Sequence, residues 1–72
     1  MTDMRALVDN IIQKLEQEGI DEVWAWFARP PHAVLYRAFS GYKLVLWRGS
    51  VRVVVKLDEK YQIESAHVEY ED

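Results

Sequence analysis

Residues 33–57 read AVLYRAFSGYKLVLWRGSVRVVVKL, three runs of alternating apolar residues joined at Ser40-Gly41 and Gly49-Ser50. Short alternating runs rich in Val, Leu, Tyr and Trp, broken by glycine-containing pairs, are the pattern of β-hairpins with two-residue loops. The stretch predicts a three-stranded antiparallel meander. Residues flanking a two-residue loop face each other. With Ser40-Gly41 as the first loop, Phe39 opposes Tyr42, Arg37 opposes Leu44 and Leu35 opposes Leu46. With Gly49-Ser50 as the second, Arg48 opposes Val51, Leu46 opposes Val53, Leu44 opposes Val55 and Tyr42 opposes Leu57.

Side chains alternate between the faces of a sheet with period two. One face then carries Leu35, Phe39, Tyr42, Leu44, Leu46, Val51, Val53, Val55 and Leu57, and is nearly all apolar. The other carries Val34, Tyr36, Lys43, Val45, Trp47, Arg52, Val54 and Lys56, a mixture of aromatic, β-branched and basic residues. A one-residue slip in one strand would mix the two sets, so the pattern itself specifies the register.

Upstream, Met4, Leu7, Val8, Ile11, Ile12 and Leu15 recur at helical spacing and predict an amphipathic helix over about 3–18. Thr2 is the candidate N-cap, with Asp3 favouring the positive helix end. Gly19 is the candidate C′ residue of a Schellman stop completed by Ile20 and Leu15. Residues 22–29, EVWAWFAR, are apolar on both faces and read as a strand, with Trp24 and Trp26 side by side in the core. Periodicity alone leaves a short helix open there. Pro30-Pro31 ends the segment, since proline donates nothing to a ladder and restricts the residue before it.

Downstream, Asp58-Glu59-Lys60 reads as a turn and residues 61–70, YQIESAHVEY, as a last strand. Its faces do not segregate, which a β-bulge would explain. The expected fold class is α+β: one N-terminal amphipathic helix packed on one face of a 4–5-stranded antiparallel meander sheet. The expected strands are 22–29, 33–39, 42–48, 51–57 and 61–70, all within a single domain over 1–72.

Half of the residues are apolar and 29% are charged, the balance of a globular chain and not of a disordered one. No apolar run approaches the roughly 20 residues that span a bilayer, and the N-terminus lacks a signal-peptide pattern. With no cysteine there are no disulfides and no thiolate metal sites. The expectation is a cytoplasmic protein with no membrane contact and no cofactor. A domain this small has a thin stability margin without staples, so clean packing or self-association must supply it.

Charge is segregated along the chain. Residues 1–22 carry two basic and six acidic side chains, 23–57 six basic and none acidic, and 58–72 one basic and six acidic. The basic centre has two readings. Glu64 or Glu69 of the last strand can neutralise Arg52 and Lys56 across the sheet. Alternatively the mixed face binds an acidic protein surface, or nucleic acid by phosphate contacts and base stacking.

The candidate binding residues are Tyr36, Lys43, Val45, Trp47, Arg52, Val54 and Lys56. The leading expectation is a non-enzymatic domain that binds a protein partner or forms a homodimer through this face, because large apolar patches on a soluble protein mark such contacts. Nucleic-acid binding through the same face is the alternative. Catalysis by His32 and His67 with Arg52, as a small ribonuclease-like enzyme, is weaker. So is a metal half-site at His67 and Glu69, which lacks a third ligand. No phosphate-cradling glycine loop or nucleophile–histidine arrangement is present. Residues 41–72 loosely resemble the strand-rich half of RelE/ParE-type toxins, through apolar alternation alone. Glu69, Glu71 and Asp72 stand where the ribonuclease members are basic, and no residue role is carried over. The mutual agreement of turns, helix stop and face pattern is also what an engineered scaffold without biological function shows.

Overall fold

The computed structural model describes residues 3–71, in the order α1 (Met4–Gln17), a 3₁₀ helix (Asp21–Phe27), β1 (His32–Ala38), β2 (Gly41–Arg48), β3 (Val51–Leu57) and β4 (Ile63–Tyr70). Helix and antiparallel sheet make the α+β class. The chain divides at Pro30/Pro31 into two compact units. Thr2, the expected N-cap, and Asp72 lie outside the described residues.

In the first unit Asp3 is the N-cap of α1, its Oδ1 accepting the Arg5 amide at 3.0 Å. The predicted stripe buries Val8, Ile11, Ile12 and Leu15. The helix stops as a Schellman motif. Gly19, at φ 93°, donates to Glu16 O and Ile20 donates to Leu15 O, both at 3.0 Å.

The segment expected as a strand at 22–29 is the 3₁₀ helix instead. A strand would put Trp24 and Trp26 on one face. A helix of three residues per turn groups Val23 with Trp26 and Trp24 with Phe27. Trp26 is 4% exposed and Val23 fully buried, whereas Trp24 is 69% exposed and Phe27 also lies open. Only one of the two tryptophans is core.

In the second unit the sheet is a simple antiparallel meander in the order β1-β2-β3-β4. The second hairpin has the expected register, with Arg48 opposite Val51 and Tyr42 opposite Leu57. Its loop carries a positive φ at Gly49 and none at Ser50, the pattern of a type II′ turn. The first loop is Phe39-Ser40, one residue earlier than expected. Ala38 opposes Gly41, Arg37 opposes Tyr42 and Leu35 opposes Leu44. Gly41 belongs to β2 because of its surroundings. A Cβ there would lie 2.2 Å from the Leu57 carbonyl oxygen. Moving the loop by one residue changes each pairing by two, so face parity survives. Phe39 alone changes place: expected on the apolar face, it sits in the turn and is fully exposed.

β4 begins at Ile63, not at Tyr61, which occupies the preceding turn at φ 63°. The expected bulge is present. Lys56 opposes Ser65 and Leu57 opposes Ile63, which leaves Glu64 as the extra residue. Leu44, Leu46, Val53, Val55 and Leu57 form the fully buried face of the sheet.

Candidate interaction face

The opposite, open face gathers every sequence-predicted site residue. The registers arrange it as rows running across the strands. The middle row is Val34–Val45–Val54–His67. One flanking row is His32–Trp47–Arg52–Glu69 and the other is Tyr36–Lys43–Lys56–Ser65. An apolar centre is thus bounded on each side by an aromatic ring and a cation.

The three valines and Trp47 are half-buried, and Tyr36 is 51% exposed. The His32 imidazole lies against the Trp47 indole, ring centroids 5.4 Å apart and planes tilted by 31°. A shallow hollow of about 450 Å³ opens over Val45 and Val54, and one of about 230 Å³ lies beside Trp47 and the Gly49-Ser50 turn.

The charges divide into engaged and unengaged. Arg52 reaches Glu69 Oε1 with Nη2 at 2.7 Å and Nε at 2.9 Å. His67 Nε2 lies 2.8 Å from the other Glu69 oxygen. These contacts, His67 first and Arg52 second, hold the Glu69 carboxyl below the ordinary glutamate range. Lys56 Nζ lies 3.7 Å from Glu64 Oε2. The neutralisation expected from the last strand is therefore in place. Lys43 differs. It stands directly opposite Lys56, where like charges are unfavourable. Among the described residues it has no carboxylate within ion-pair distance.

Sequence reasoning sets Glu64 or Glu69 beside Arg52 and Lys56 and leaves His32 and His67 out of the face. The period-two placement of β1 could have supplied His32. His67 depended on the β4 register, which the bulge at Glu64 displaces.

The proposed catalytic pairing of His32 and His67 does not form. They stand on β1 and β4, three strand spacings or roughly 14 Å apart. His67 and Glu69 are bonded to each other, and among the described residues no cluster of three metal-ligating side chains exists. No described helix is long and apolar enough to cross a membrane.

Compared with family models, with curated proteins and with solved structures, the chain finds no match.

Proposed function

We propose that the chain is a non-enzymatic protein-binding domain whose contact surface is the open sheet face. The observation that carries this reading is the juxtaposition of a half-buried valine row with Tyr36, Trp47 and an unengaged Lys43. Aromatic anchors beside an apolar strip supply affinity, and a desolvated cation supplies selectivity.

The partner has an apolar ridge and a carboxylate. A second copy of this face fits poorly, because its own Glu69 and Glu64 are already committed to Arg52 and Lys56. The same commitments weigh against a phosphate backbone, which needs free cations.

The test is selection of peptides from a random display library on the immobilised protein, with counter-screening. Selected peptides should carry apolar residues and Asp or Glu. They should lose at least about tenfold in affinity, or about 1.4 kcal/mol, on Trp47→Ala, and also weaken on Lys43→Ala. Peptides that ignore both substitutions would remove the open face as the binding surface.

A further inference from the structure

We propose that the free edge of β1 pairs antiparallel with β1 of a second copy, joining two four-stranded sheets into one. The proposal rests on the backbone of β1 and not on what the open face binds.

Among the described residues, β1 is bonded only to β2. A two-residue loop makes its flanking pair, Ala38 and Gly41, a hydrogen-bonded pair. Residues 32, 34, 36 and 38 therefore point their amides and carbonyls toward β2. Those of Ala33, Leu35 and Arg37 point outward. Among the described residues, no backbone or side-chain group bonds to these outward groups.

The edge is also unguarded. Natural edges are blunted by bulges, lysines or internal prolines. β4 has its bulge at Glu64 and two further acidic residues, Glu69 and Glu71, near its end. β1, HAVLYRA, has no bulge, no lysine and no internal proline, and the guanidinium of its one arginine, Arg37, is turned onto the neighbouring strand, where Nη1 donates to the Tyr42 hydroxyl at 3.2 Å.

The strand is complementary to itself. Centred on Leu35, antiparallel pairing sets Leu35 opposite Leu35 of the second copy and Ala33 opposite its Arg37. All the outward-pointing residues then meet in hydrogen-bonded pairs, each exchanging two bonds. Arg37 does not meet its own counterpart. On the open face, Val34 falls opposite Tyr36 of the second copy, an aromatic–β-branched pair. Like faces stay together, because odd residues meet odd ones. Sliding by two residues one way brings in Pro31, which has no N–H. Sliding the other way brings in Phe39, which lies in the turn. The central register is therefore selected by the chain itself.

The experiment is sedimentation equilibrium of the full chain up to about 1 mM, the range of a small interface. The expected mass rises from 8.5 kDa toward twice that value. Leu35→Pro removes one outward donor at a position where edge strands tolerate proline. N-methylation of the Leu35 amide, in chemically ligated protein, removes the same donor and keeps the side chain. Both should hold the chain at 8.5 kDa, with circular dichroism verifying the fold. In a mixture of labelled and unlabelled protein, a cross-peak between the α-protons of Val34 and Tyr36 of the second copy is expected. A monomer throughout the concentration range overturns the proposal. So does a dimer that survives N-methylation, or one without that cross-peak. None of these outcomes bears on the peptide selection, because the Leu35 amide is not part of the open face.

Discussion

Arg52 and Glu69 face each other across β3 and β4, and the guanidinium grips one carboxylate oxygen while His67 takes the other. Glu69 is consequently easier to ionise in the folded chain than in the unfolded one. A carboxylate with a depressed folded pKa contributes stability above its unfolded pKa, and that contribution disappears as pH falls through the folded value. The thermal midpoint of the wild type should exceed that of Glu69→Gln at about pH 5, and the difference should shrink toward about pH 3. The pair is exposed to solvent, so the difference is small even where it is full. A difference that stays constant over this acid range would contradict the assignment.

The two hairpin glycines should respond differently to alanine. Gly49, at φ 62°, has open space where a Cβ would go. Its substitution carries only the left-handed backbone cost, about 1 kcal/mol. Gly41, at φ 115°, has the Leu57 carbonyl oxygen 2.2 Å from that position and Asp58 backbone atoms at 3.0–3.1 Å. Gly41→Ala adds a backbone collision to the strain and should cost about 3 kcal/mol. Urea unfolding midpoints of the two variants decide it, and equal losses would mean that β2 starts elsewhere.

The period of three in the 3₁₀ helix separates Trp26 from Trp24. Trp26→Ala empties a buried site and should cost roughly 3–5 kcal/mol. Trp24→Ala removes an exposed ring and should change stability by no more than about 0.5 kcal/mol. A strand would make the two losses similar, so equilibrium unfolding of both variants distinguishes the conformations.

The turn into β4 is closed by backbone bonds from Asp58 N to Gln62 O and from Tyr61 N to Asp58 O, and it is braced by one side chain. Asp58 Oδ1 accepts the amides of Lys60 at 2.8 Å and Gln62 at 2.9 Å. Those bonds set Tyr61 in the left-handed region, where its ring stacks on Tyr42 with centroids 4.6 Å apart. Asp58→Ala should cost about 1–2 kcal/mol and accelerate amide exchange at Lys60 and Gln62. Asp58→Asn, which keeps the acceptor, should recover most of the loss.

The parts of this fold visible in the amino-acid order are those where two signals coincide. Gly49 sits both in a turn pair and between alternating runs, so the second hairpin register was readable. Gly41 satisfied the same turn pattern but is demanded by its contact with Leu57, which no local pattern records. The turn pattern consequently puts the loop one residue late while the faces remain right. At 22–29 every central position is apolar, so neither period two nor period three stands out. The flanking cues, Asp21-Glu22 ahead and Pro30 behind, fit a helix. Most of the open face followed from parity alone. The acidic partners of Arg52 and Lys56 are legible as charge in the last strand, but which of Glu64 and Glu69 meets which cation is not, because the Glu64 bulge resets the register.

That bulge also bears on how far any strand-to-strand assembly could extend. A ribbon with two sticky margins can add copies without limit, as fibrils do. Here one margin is regular while the other is interrupted by the bulge. Joining like margin to like consumes the adhesive side of both molecules and leaves only the interrupted borders outward. Growth then terminates at a pair, so a concentrated solution stays clear instead of gelling.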